Sequence, residues 1–180
     1  MARIVLVTGG GRSGKSLYAQ QLAEALAGPR VFIATCPVLD DEMRERVRRH
    51  REMRAQAQWQ TVEEQVDLAG ALRNTATAQV RVADCLTLWI NNLMFQAEQQ
   101  GRRLTENDVA DRAREVLLAS TALPGTVCIV TNEVGMGIIP RNDLARQFRD
   151  LAGRANQVMA AGADEVILMI SGLPLALKKT

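Results

Sequence analysis

The chain has 180 residues, enough for one domain with a sizeable core. Its 22 lysines and arginines nearly balance 20 acids, and a formal charge of +2 gives no reason to expect a nucleic-acid partner. The sequence enters an apolar strand pattern at once and holds no apolar run near about eighteen residues, which predicts a cytoplasmic protein with neither a secretory leader nor a membrane span.

Aromatic residues are scarce, so the core is expected to be aliphatic, as in helix-covered parallel sheets. Cys36, Cys85 and Cys128 each lie in or beside an apolar run. They read as buried free thiols in a reducing compartment, lacking the number and spacing of a disulfide framework or a zinc site.

Ile4–Val7 reads as a first strand, followed by Gly9-Gly10-Gly11-Arg12-Ser13-Gly14-Lys15-Ser16 and a helical pattern through Leu17, Gln21, Leu22 and Leu26. Gly28-Pro29 breaks that pattern, and Val31–Thr35 reads as a second strand ended by Cys36-Pro37. Asp40 opens a long helical candidate reaching about Ala57. Its first turn is acidic and its middle basic, the order a helix dipole favours. Trp59–Val62 reads as a short extended piece and Glu63–Leu72 as helix-like. Val80–Asp84 is a strand candidate interrupted by Arg81, followed by a helix carrying Leu86, Trp89, Ile90, Leu93 and Met94.

Thr105 resembles a helix N-cap, with Asp108 standing where a capping box has Glu or Gln, and its helix reaches about Ser120. After Pro124-Gly125, Val127–Val130 is a strand running into the polar, glycine-punctuated loop Thr131–Gly137. A helix over about 142–161 and a strand over Glu165–Ile170 follow. The tail from Gly172 to Thr180 reads as an edge strand or as a dock onto a neighbouring subunit. Alternating strands and helices predict a single α/β domain over 1–180, with a mostly parallel sheet covered on both faces. Ligands of such sheets collect beyond the carboxyl ends of the strands, where Thr8–Ser16, Ala34–Cys36, Asp84–Thr87 and Thr131–Gly137 should converge.

The glycine-rich stretch matches G-x-x-x-x-G-K-[ST] between a strand and a helix, the context a P-loop requires. Its N–H groups and the helix N-terminus would cradle nucleotide phosphates. Lys15 would reach the β- and γ-phosphates, and the Ser16 hydroxyl would ligand Mg²⁺. A second metal anchor is expected as an acid closing a strand. Asp84 fits that place, or else caps the next helix; Glu133 is the rival acid.

His50, the single histidine, lies on the same helical face as Met43 and Val47, amid Arg44, Arg46, Arg48, Arg49, Arg51 and Arg54. Neighbouring positive charge keeps an imidazole neutral near pH 7. It could serve as general base, as nucleophile toward a phosphorus atom whose oxygens the arginines hold, or as a border residue of an amphipathic basic helix.

Several blocks together resemble one family. They are Thr8–Ser16, Ile33-Ala34-Thr35, Leu39–Met43 with Arg49-His50-Arg51, Thr131–Pro140, Phe148–Asn156 and Ala163–Val166. In that order, covering nearly the whole chain, they resemble the bifunctional adenosylcobinamide kinase/adenosylcobinamide-phosphate guanylyltransferase family of cobalamin biosynthesis. The resemblance implies a RecA-like P-loop fold, a homotrimer and two reactions. A nucleoside triphosphate, ATP or GTP, would phosphorylate the corrinoid adenosylcobinamide. GTP would then guanylylate a histidine, and GMP would pass to adenosylcobinamide phosphate to give adenosylcobinamide-GDP.

Carried over residue by residue, the guanylylated histidine falls on His50, with Arg49 where relatives often have a second histidine. Gly9–Ser16, Ala34, Thr35, Cys36, Arg51, Glu52, Met53, Arg54, Glu63 and Asp84 fall on nucleotide-contacting positions. Relatives often have Ser at the Cys36 position, and some have Glu at that of Asp84. A simple P-loop kinase with a structural His50, or a non-enzymatic nucleotide switch using the basic helix to bind nucleic acid, are the alternatives.

Overall fold

The computed structural model describes residues 1–37, 48 and 59–179. Its elements in chain order are β1 (Arg3–Gly9), α1 (Lys15–Glu24), β2 (Arg30–Ala34), β3 (Trp59–Glu63), α2 (Leu68–Arg73) and β4 (Val80–Asp84). Then come α3 (Leu86–Gln99), α4 (Glu106–Thr121), β5 (Thr126–Val130), α5 (Asp143–Gly162), β6 (Glu165–Ile170) and β7 (Leu173–Lys179). The strands form one sheet in the order β3-β2-β4-β5-β1-β6-β7. Every neighbouring pair is parallel except β6 with β7.

The sheet divides the core in two. One face carries Ile4, Leu6, Ile33, Ala83, Val127 and Ile129 against α2, α3, α4 and α5. The other carries Val5, Val7, Val82, Cys128 and Val130 with Ala19 and Ala23 of α1. Both sets are aliphatic and alternate along their strands, so each central strand is apolar on both faces, as a doubly covered parallel strand must be.

One boundary of the sequence reading moves and two of its readings are sharpened. The extended piece at Trp59 is a full edge strand reaching Glu63, held by parallel pairing with β2 and an edge-on contact between Phe32 and Trp59. The following helix therefore starts only at Leu68. Asp67 caps it by accepting from Gly70 N, and the Glu64 carboxylate takes the Val66 and Asp67 N–H groups. Local apolar spacing could not report this, because strand pairing is a long-range contact. At Thr105 the capping box closes fully, with Asp108 Oδ2 accepting from Thr105 N at 2.9 Å; the shorter Asp suffices. The tail is an antiparallel edge strand, pinned where Lys178 Nζ donates to the carbonyls of Ala160, Ala161 and Ala163 at the end of α5.

Arg81, which looked like an interruption of β4, is fully buried. Its guanidinium donates to Thr75 Oγ1 and to the carbonyls of Thr75, Ala78 and Pro124, closing the lower edge of the sheet. Arg81→Met would leave those acceptors buried and unpaired. We expect a loss of about 2–4 kcal/mol, read as a lower urea midpoint at unchanged slope.

Candidate functional site

Strand register sets the site. Glu63, Ala34, Asp84, Val130 and Val7 lie opposite one another on five adjacent strands, so their side chains share the sheet face that α1 covers. Beyond Val7, β1 ends at Gly9, whose φ is 149°. A Cβ there would stand 2.5 Å from the Met169 carbonyl oxygen and 2.8 Å from Ser13 Oγ, so only glycine fits. Gly14, at φ 93°, is the residue from which α1 starts.

Lys15 and Ser16 thus open α1 at the carboxyl end of the sheet. The Lys15 side chain is buried, and its Nζ donates to Gly10 O at 2.6 Å, across the mouth of its own loop. Burial lowers its pKa, while the Asp84 carboxylate and Cys85 oppose that shift. The hydroxyls of Thr8 and Ser13 are buried, and neither has a hydrogen-bond partner among the described residues. A loop with an ammonium, a helix N-terminus and two unsatisfied hydroxyls is built to receive an anion with several acceptor oxygens.

The four strand-end segments are tied together by hydrogen bonds. Thr35 N donates to Asp84 O at 3.2 Å, and the Thr35 hydroxyl both donates to Cys85 O and accepts from Cys85 N, each at 2.8 Å. Thr87 Oγ1 accepts from Asn132 N at 2.7 Å and lies 3.3 Å from Thr131 Oγ1. Thr131 N donates to Val7 O, and Glu133 N donates to Gly9 O at 3.0 Å. The convergence expected from the alternating pattern is present.

Two residues in this framework had no role in the sequence reading. Asn156, on the buried stripe of α5, accepts from Thr131 Oγ1 at 2.7 Å and donates to Asn132 O at 3.0 Å. Asn92 of α3 donates to Thr35 O and Gln65 O. For Asn156 the signal was available: an amide between Ala152, Ala155 and Met159 interrupts an otherwise apolar helix face.

Of the expected site residues, Gly9–Ser16, Ala34, Thr35 and Asp84 are brought to one end of the sheet. Cys36 is half-buried just beyond β2, against the expectation of a buried thiol; Cys85 and Cys128 are buried. Burial, reinforced by Asp84, raises their thiol pKa values to about 11 and about 12, so both stay protonated. Glu63 ends β3 with an exposed side chain. His50, Arg51, Glu52, Met53 and Arg54, with Arg44, Arg46 and Arg49, lie outside the described residues, whereas Arg48 is helical and exposed.

Sheet and loop together define an α/β protein of the kind that resembles P-loop nucleotide-binding proteins. A KaiC-like protein of Pyrococcus horikoshii matches this fold with a TM-score of 0.53 at 17% identity, over 92% of this chain and 70% of that one. The chain belongs to the cobinamide kinase / cobinamide phosphate guanyltransferase family, whose sequence model matches residues 5–177.

The bifunctional adenosylcobalamin biosynthesis protein CobU of Salmonella typhimurium is 42% identical over 97% of this chain and 99% of its own length. That of Escherichia coli is 39% identical with the same coverage. The bifunctional adenosylcobalamin biosynthesis protein CobP of Pseudomonas aeruginosa is 40% identical over 96% of both chains. Among the described residues no helix is long and apolar enough to cross a membrane.

Proposed function

We propose that this protein is a bifunctional enzyme of cobalamin biosynthesis, an adenosylcobinamide kinase and adenosylcobinamide-phosphate guanylyltransferase. Family membership carries the substrate; the buried Lys15 at the head of α1, beside Asp84, carries the chemistry. The single domain spans 1–180, and β5 between the P-loop strand β1 and the acid-bearing strand β4 supports a RecA-like reading of the fold. A cytoplasmic homotrimer completes the reading, on the strength of the family resemblance.

In the kinase step, Gly9–Ser16 hold the phosphates of ATP or GTP. The substrate hydroxyl oxygen bonds to the γ-phosphorus and gives up its proton to solvent, the bond to the β-phosphate oxygen breaks, and nucleoside diphosphate leaves. Lys15 stabilises charge on the transferring group, and the loop fixes the in-line geometry.

A hydroxyl and a carboxylate, Ser16 at the start of α1 and Asp84 on the sheet face toward α1, form an all-oxygen donor pair suited to Mg²⁺, which keeps phosphate oxygens and waters as its other ligands. Bound there, the ion would neutralise phosphate charge.

In the transferase step, His50 attacks the α-phosphorus of GTP. The nitrogen–phosphorus bond forms, the bond to the β-phosphate oxygen breaks, and pyrophosphate leaves. A phosphate oxygen of adenosylcobinamide phosphate then displaces the imidazole. Arg49, Arg51 and Arg54 supply charge for the clamp. Ala34, Thr35, Cys36, Glu52, Met53 and Glu63 complete the nucleotide pocket.

Incubation with GTP labelled at the α-phosphate tests the reading. The protein should retain acid-labile, alkali-stable label that adenosylcobinamide phosphate discharges. Protein that phosphorylates adenosylcobinamide but takes no label would reduce the assignment to a simple kinase.

A further inference from the structure

Beyond Glu133 the chain does something unusual for a stretch so apolar. Met136, Ile138 and Ile139 are 84%, 96% and 65% exposed, although Val134 of the same loop packs against the core. The loop does not fold inward because both its ends are fixed. At the front, Glu133 N is bonded to Gly9 O, Asn132 is held by Thr87 and Asn156, and Gly135 N donates to Glu133 Oε1 at 3.0 Å. At the back, the Arg146 guanidinium donates to Pro140 O at 2.9 Å and to Arg141 O at 2.5 Å, and it pairs with Asp143. Three large apolar side chains are therefore presented to solvent, three to six residues beyond the bond from Glu133 to Gly9. Apolar surface held open in this way marks a binding surface.

The loop leads into a cavity of about 460 Å³ lined by Arg103, Asp143, Leu144, Arg146, Gln147 and Asp150. Gln147 Nε2 donates to Leu104 O at 2.9 Å, which fixes one wall. The lining mixes cations, acids and an amide. Asp143 and Asp150 are paired with Arg146 and Arg149, so the lining offers no concentrated positive charge for a polyphosphate. A neutral ligand rimmed with carboxamides would find donors for its carbonyls and acceptors for its NH₂ groups.

The geometry points to the Met136–Ile139 loop and this cavity as the subsite for the corrin ring of the acceptor. The assignment rests on the functional reading above. A corrin is a broad, methyl-bearing disc edged with carboxamide side chains, so it needs both an apolar platform and a rim of mixed donors and acceptors. The loop offers the platform. The cavity, much smaller than a whole corrin, takes one amide-bearing edge. Continuity with Gly9 places this surface at the same sheet end as the nucleotide loop, as transfer to a hydroxyl hung from the corrin requires.

The test is the double variant Met136→Ser/Ile138→Ser, in which both replaced side chains are exposed. KM for adenosylcobinamide in the kinase reaction should rise roughly tenfold or more, with KM for the nucleotide within about twofold of wild type. Met136→Leu/Ile138→Leu should restore it. An unchanged KM for adenosylcobinamide, or an equal rise in both constants, would overturn the assignment. A loss of oligomer mass in sedimentation would also overturn it, by making a second copy of the chain the occupant. Wild-type protein unable to phosphorylate adenosylcobinamide would instead overturn the functional reading beneath it.

Discussion

Lys15→Ala is expected to lower kcat/KM by on the order of 10²–10³-fold for the kinase step, with a comparable loss in guanylylation. Its ammonium is buried at the head of α1 and donates to Gly10 O at 2.6 Å, so it waits at the loop mouth already stripped of most water. Charge interactions in so dry a setting exceed those in bulk water. Burial alone would weaken the charged form; the Asp84 carboxylate works against that and helps keep the group cationic. Lys15→Arg should not rescue activity, because a planar guanidinium cannot occupy the same turn as a compact ammonium. Steady-state kinetics of each half-reaction, with circular dichroism to confirm folding, decide the matter. A variant that keeps wild-type rates would remove Lys15 from the mechanism.

His50→Ala should separate the two activities. Phosphorylation of adenosylcobinamide should persist within about threefold, while transfer of label from α-labelled GTP falls by at least about 10⁴-fold, since removing a nucleophile removes the covalent path itself. Only neutral imidazole attacks phosphorus. Wild-type guanylylation should therefore decline as falling pH protonates the imidazole. The kinase step should lack that acid limb. Label persisting in His50→Ala would place the nucleophile elsewhere.

Much of the fold was legible because it is written in local pattern. Apolar alternation and runs gave β1, β2, β4, β5 and β6, and the glycine-rich stretch gave the turn into α1. What local pattern left open was settled by contacts across the fold. Trp59–Glu63 is a strand because β2 pairs with it, and Arg81 belongs in a strand because four acceptors from the Thr75–Ala78 turn and Pro124 meet its guanidinium. Nothing near Trp59 in sequence announces β2, whereas Arg81 finds three of its four acceptors within six residues once the Thr75–Ala78 turn folds back on it.

The site divides in the same way. The glycine-rich turn between β1 and α1, most of the strand and helix order and the family were legible in the chain alone, because these depend on residue identity at short, fixed spacings. Tertiary structure alone decided that β5 lies between β1 and β4, which puts Thr131–Glu133 against Gly9 and Asp84 in reach of Lys15. It also decided that Asn156, more than twenty residues beyond the strand end it supports, locks that loop, and that Met136, Ile138 and Ile139 face solvent instead of the core. Strand order and hydrogen-bond closure are contacts between residues far apart in the chain, and periodicity carries no record of them.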